Sequence, residues 1–127
     1  MRTRQLALLA AAVALAGLLA ACGSGKGKGA PGIVIDESNR TQASEELSVK
    51  ARNFEFDRTE YRVKTGEAVK LHFVSEEGVH GIRIQKTGIE LRDGQSVTVT
   101  FENPGEYEII CNIPCGTGHS KMFAKLI

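Results

Sequence analysis

The chain has 127 residues, 16 of them Lys or Arg and 15 Asp or Glu, for a formal net charge of +1. That length allows one small domain. The near balance of charge lacks the strongly basic face by which nucleic-acid-binding domains hold phosphate, so no nucleic-acid partner is expected.

Residues 1–21 do not read as part of that domain. "MRTRQLALLAAAVALAGLLAAC" opens with Arg2 and Arg4, continues as an uninterrupted apolar run from Leu6 to Ala21, and meets a cysteine after small residues. A basic start, an apolar centre and a small-residue end mark a signal peptide for export. The apolar run is shorter than the roughly 20 residues that a membrane-spanning helix needs. Its ending, "LAAC" at 19–22, resembles the lipobox of bacterial lipoproteins, in which the signal is cut before the cysteine and that cysteine carries the lipid. The resemblance implies lipidation of Cys22. It also implies a domain held by a lipid anchor on the periplasmic or other extracytoplasmic side of a bacterial membrane. Ordinary secretion, with Cys22 removed along with the signal, is the alternative. With the leader's two arginines set aside, 14 basic residues face 15 acidic ones.

Residues 22–46 are expected to be a tether. In "GSGKGKGAPG", glycine alternates with Ser and Lys, a flexible composition. "IVIDESNRTQASEE", at 33–46, has one short apolar run and then polar or small residues, and reads as more of the same. From Leu47 the pattern changes to period two, the signal of half-buried strands. Leu47, Val49 and Ala51 alternate in "ELSVKARNFEF", and Val69, Leu71 and Phe73 share one face in "EAVKLHFVS". "GVHGIRIQ" carries Val79, Ile82 and Ile84, while "QSVTVTFEN" sets Val97, Val99 and Phe101 against Thr98 and Thr100. "GEYEIIC" and "KMFAKLI" complete the series. Turn sequences "KTGE", "RDGQ" and "NPGE" punctuate it. About seven short strands, with no helical period after residue 46, predict an all-β Greek-key sandwich over 47–127.

"CNIPCGTGHSKM", at 111–122, concentrates the chemistry. An exported thiol pair is expected to be a disulfide or a metal site. Cys115, His119 and Met122 form a C-x3-H-x2-M series. Thiolate, imidazole and thioether together select copper, and His₂Cys with a weak axial Met is the blue-copper set. The missing histidine is His80, in "EEGVHGI". Cys111 is then left over in a mononuclear site, but not in a dinuclear one. There two thiolates bridge two coppers, each completed by one histidine and one weak axial group. A disulfide between Cys111 and Cys115 leaves His119 and Met122 unexplained. Zinc has no use for Met, and an iron–sulfur cluster wants more cysteines. His72 falls opposite Val69, Leu71 and Phe73 and reads as exposed and not a ligand.

The C-x3-C-x3-H-x2-M series with an upstream histidine resembles the dinuclear CuA site of cytochrome c oxidase subunit II and nitrous oxide reductase. "CGTGH" repeats the family's CG-x-GH, and the likeness extends over 47–127, including "NFEFD" and "PGEY". The resemblance implies a cupredoxin-like sandwich. It implies Cys111 and Cys115 as bridging ligands, His80 and Met122 on one copper, and His119 with the main-chain carbonyl of Ile113 on the other. The family tends to carry an acid three residues before the upstream histidine. Glu77 stands there, which implies a hydrogen bond from His80 to its carboxylate. The chain departs from the family in lacking tryptophan and in carrying Lys121 where an aromatic residue is frequent. A cation beside the site disfavours the more positive oxidised state and favours an acidic partner surface.

The function implied is electron transfer without bond chemistry, so the chain is not expected to be an enzyme by itself. It would relay electrons between a cytochrome c or cupredoxin and a membrane oxidase or reductase. Two other readings stay open: an exported protein that stores or delivers copper, and a mononuclear blue-copper protein in which Cys111 is idle.

Overall fold

The structure, a computed structural model, describes residues 30–38 and 40–127. The expected signal peptide at 1–21 and the lipidation site at Cys22 lie outside the described residues.

Among the described residues the chain forms ten strands: β1 Ile33–Asp36, β2 Glu45–Arg52, β3 Glu55–Phe56, β4 Glu60–Tyr61, β5 Ala68–Ser75, β6 Gly81–Ile84, β7 Ile89–Arg92, β8 Ser96–Phe101, β9 Tyr107–Cys111 and β10 Phe123–Leu126. A single 3₁₀ turn, His119–Lys121, separates the last two. The strands make two five-stranded sheets, in the orders β1-β8-β5-β2-β3 and β4-β10-β9-β6-β7. The result is an all-β sandwich of two sheets, in agreement with the fold class read from the sequence.

Period-two alternation decides which side chains fill the space between the sheets. Leu47, Val49 and Ala51 of β2, Val69, Leu71 and Phe73 of β5, and Val97, Val99 and Phe101 of β8 line the first sheet's inner face. Ile82 and Ile84 of β6, Ile89 and Leu91 of β7, Ile109 of β9, and Ala124 and Leu126 of β10 line the second. Tyr61 closes the core from β4 and donates its hydroxyl to Asp57 Oδ1 at 2.6 Å. That bond provides the partner a buried phenol needs.

The folded unit begins upstream of residue 47. Residues 33–36, expected within the tether, form the edge strand β1, antiparallel to β8 with Ile33 opposite Phe101 and Asp36 opposite Thr98. Ile33 and Ile35 are buried. Two apolar side chains are too few to show a period, and the strand forms because β8 offers an open edge. Asp36 then closes the following loop by accepting from Ser38 N at 3.0 Å and Thr41 N at 2.7 Å. β7 also adds a strand beyond those read in the sequence. "IELR" buries Ile89 and Leu91 against β6 across a turn that Thr87 ties, donating to the Ile84 carbonyl at 2.7 Å.

Strand directions position the candidate ligands. β9 runs antiparallel to both β6 and β10, with Ile82 opposite Cys111 and Phe123 opposite Ile110. The end of β9 therefore meets the starts of β6 and β10. Cys111, His80 and Met122 arrive at one end of one sheet although they are separated in sequence.

Candidate metal centre

The two cysteines are free thiols, Cys111 buried and Cys115 half-buried. Their sulfurs lie 3.6 Å apart, much farther than the roughly 2.05 Å of a disulfide bond. Cys111 Sγ is 3.9 Å from His80 Nδ1 and 3.2 Å from the carbonyl oxygen of Ile113. Cys115 Sγ is 3.6 Å from His119 Nδ1 and 3.6 Å from Met122 Sδ. His80 Nδ1, Cys111 Sγ and Cys115 Sγ could hold a metal ion, their ligand atoms lying within 4.8 Å of one another. All six residues expected as ligands are brought together.

Local structure accounts for each donor. The Cys111 amide donates to the Met122 carbonyl at 3.3 Å, and the Asn112 amide to the Gly81 carbonyl at 3.1 Å. These bonds pin the exit of β9 to both neighbours. The chain then turns through Ile113–Gly118 into the 3₁₀ turn, whose Met122 amide donates back to the His119 carbonyl at 3.2 Å. The short turn brings both His119 and Met122 within 3.6 Å of the Cys115 sulfur. His80 and Met122 are 1% and 2% exposed, whereas His119 and Cys115 are partly open to solvent. Burial, reinforced by the hydrogen bond that the Cys115 thiol donates to a Cys111 thiolate and by that thiolate's charge, pushes the Cys115 thiol up to about 11. A metal taking Cys115 as thiolate must displace its proton.

The donor set is two thiols, two imidazoles, a thioether and a carbonyl. Soft sulfur with imidazole suits copper, and the thioether is foreign to tetrahedral zinc sites. The residues fit the copper that their spacing implied.

Glu77 is placed differently from expectation. Its carboxylate accepts from Asn53 Nδ2 at 3.5 Å, and it is Asn53 Oδ1 that lies 3.0 Å from His80 Nε2. Asn53 stands in the turn between β2 and β3, on the opposite sheet, so a local spacing rule does not reach it. The next residue, Phe54, packs over the loop of "CGTGH" and meets the His80 ring edge-on, with centroids 6.5 Å apart at 87°. The "NFEFD" stretch was the available signal for both residues. His72 sits half-buried on β5, away from the donors, between Ser48 and Ser96 of the flanking strands.

No family model matches the chain. Over 83 residues it is 36% identical to cytochrome c oxidase subunit 2 of Thermus thermophilus, a stretch that covers 62% of this chain and 62% of that protein. The chain thus spans about three-fifths of that relative's length. A heme-copper terminal oxidase dimer contains a structurally similar chain at 30% identity and a TM-score of 0.55, covering 65% of this chain and 63% of that one. The periplasmic domain of subunit II of cytochrome oxidase (CoxB) of Bradyrhizobium japonicum superposes with a TM-score of 0.63 at 10% identity. That match covers 68% of this chain and 84% of the domain, a likeness of fold.

Proposed function

We propose, from the premise of a CuA-type cupredoxin domain that likeness to cytochrome c oxidase subunit 2 supports, that this chain holds two copper ions and relays electrons. The observation that carries the dinuclear reading is the way the donors divide. Each sulfur touches one histidine and one weak donor: Cys111 has His80 and the Ile113 carbonyl, and Cys115 has His119 and Met122. In the pairing that the resemblance implies, His80 and Met122 would hold one copper and His119 with the Ile113 carbonyl the other, so each sulfur lies next to a donor expected for each ion. A mononuclear centre leaves Cys111 without a role.

Copper so bound supplies one-electron redox chemistry. The residues supply rigidity: Cys111 ends β9, His80 and Met122 directly precede β6 and β10, which pair with β9, and the 3₁₀ turn begins at His119. Ligands fixed by a packed scaffold keep their positions between redox states, which favours fast transfer. Buried His80 and Met122 face inward, while His119 reaches the surface beside exposed Lys121 and Phe123. That exposed corner suits docking of a cytochrome c or cupredoxin donor through an acidic and apolar surface. A membrane oxidase or reductase is the proposed acceptor. The chain acts as an electron-transfer protein or subunit and not as an enzyme alone. The apolar leader and Cys22 support export and lipid anchoring on the extracytoplasmic side of a bacterial membrane. Among the described residues no helix is long and apolar enough to span a membrane.

The test is reconstitution of the purified chain with copper. Two coppers per chain and a mixed-valent signal with a seven-line hyperfine pattern are expected. One copper per chain with a four-line pattern would move the reading to a blue-copper protein, and no uptake would overturn it.

A further inference from the structure

The His80 ring is held from the opposite sheet. Its Nε2 lies 3.0 Å from Asn53 Oδ1, while its Nδ1 faces Cys111 Sγ at 3.9 Å. The amide oxygen is an acceptor only. The Asn53 amide has a defined orientation because its Nδ2 donates to Glu77 Oε1 at 3.5 Å. The flipped amide would place its oxygen against the Glu77 carboxylate, acceptor against acceptor. With Oδ1 toward the ring, Nε2 carries the proton and Nδ1 presents its lone pair to the thiols. Tautomer choice by the hydrogen bond at the far nitrogen is a general feature of metal-binding imidazoles.

Gly78 makes the approach possible. A β-carbon there would collide with Asn53 Oδ1 and stand 3.0 Å from His80 Nε2, and its φ of 78° disfavours a side chain as well. Phe54 meets the same ring in an edge-on contact. The β2–β3 turn thus carries two consecutive residues that touch His80, which itself belongs to the other sheet.

We propose that Asn53 is a positioning residue for the metal centre. It fixes His80 in the Nε2–H tautomer with Nδ1 aimed at the thiols, and Glu77 locks the Asn53 amide. The proposal rests on the copper reading of the site only for its functional meaning. The tautomer it assigns belongs to the metal-free protein too.

The experiment therefore has a metal-free arm and a copper arm, both on the full chain. Long-range ¹H–¹⁵N correlation spectra of the metal-free protein should show neutral His80 as the Nε2–H tautomer. Asn53→Ala should yield a tautomer mixture. The double variant Asn53→Asp/Glu77→Gln keeps an acceptor oxygen toward Nε2 and restores a donor–acceptor pair at position 77, and should retain Nε2–H. With copper, Asn53→Ala should lose about 10–100-fold in affinity and change the copper hyperfine splitting, with rescue by Asn53→Asp/Glu77→Gln. The thermal unfolding midpoint of each metal-free variant serves as the control for folding. Wild-type His80 in the Nδ1–H tautomer overturns the proposal even if Asn53→Ala fails to fold. So does a folded Asn53→Ala with unchanged tautomer and affinity. If the wild type takes up no copper yet shows a tautomer that Asn53→Ala abolishes, the copper reading fails and the assignment of Asn53 stands.

Discussion

Phe54 lies over Gly118 so closely that a β-carbon at 118 would collide with Cβ and Cγ of the phenylalanine. Gly116 faces the same ring, where a β-carbon would come within 2.9 Å of Cε1 and Cζ. Gly118 has an ordinary φ of −93°, so its requirement is one of space. The glycines of "CGTGH" leave room for an aromatic ring from the other sheet to press on the loop between Cys115 and His119.

Gly118→Ala should consequently displace Phe54 or the loop. Overpacking of this kind costs roughly 1–3 kcal/mol, and the copper spectrum should change with it. Adding Phe54→Ala should restore the spectrum by reopening the space. Denaturant unfolding together with electron paramagnetic resonance on the single and double variants checks both parts. An additive double variant would show that the contact does not couple the two residues.

Cys111→Ser and Met122→Leu should separate bridging from axial ligation. Loss of one bridge at Cys111 should abolish the seven-line pattern and halve copper content. Met122 is 2% exposed and packs with the core, so replacement by Leu keeps its volume. Its stability cost should stay below about 1.5 kcal/mol. Copper content should be retained while the reduction potential moves. Copper analysis and voltammetry read the two outcomes.

The thiol of Cys115, raised to about 11 by burial and by Cys111, should be mostly protonated at neutral pH. Alkylation at Cys115 in the metal-free protein should be slow near pH 7 and accelerate toward pH 11. Because copper must displace that proton, apparent copper affinity should rise with pH. Mass-resolved alkylation rates and copper competition titrations at several pH values measure this directly.

Tyr61 should set part of the alkaline limit of stability. Burial, then its hydrogen bond to Asp57 and the charge of that carboxylate, raise the phenol well above its ordinary range. A group raised in the folded state stabilises fully below its unfolded value, near pH 10 for tyrosine, and loses that contribution as pH rises through the folded value. Unfolding free energy should fall above about pH 10, and Tyr61→Phe should flatten that fall. At neutral pH the variant should lose roughly 1.5–3 kcal/mol for a hydrogen bond to a charged group. Urea unfolding between pH 7 and 11 tests the difference between the two proteins.

Ile35→Ala should destabilise the domain although its position reads as tether. Ile35 is 5% exposed beside Val99 on β8. Truncating a buried isoleucine costs about 2–5 kcal/mol. A loss of that size in the unfolding free energy measured with urea would place β1 within the cooperative unit. No loss would mean that the edge strand docks without contributing.

The ligand loop was legible because its donors are neighbours in the chain, so C-x3-C-x3-H-x2-M states a geometry within one loop. β2, β5, β6, β8, β9 and β10 were legible for a similar reason, since alternation is a local property of the backbone, whereas the short β4 and β7 were not read. His80 was legible as the candidate for the histidine that the loop's donor set lacks, not from any spacing to the loop. Its distance to Cys111 follows from β6 lying beside β9, which no local pattern states. Glu77 was assigned to His80 by the resemblance, and the fold interposes Asn53, 27 residues before His80.

The sequence by itself determined the donor chemistry and the two-sided character of the strands, both carried by residue type and short-range period. Only the tertiary structure decided that Ile33–Asp36 pairs with β8, that the β2–β3 turn reaches the metal centre, and that Asn53 turns His80 toward the thiols. Those outcomes depend on which sheet edges remain open and which turns meet across the sandwich. They are properties of packing between distant segments, where a glycine such as Gly78 acts by the space it leaves.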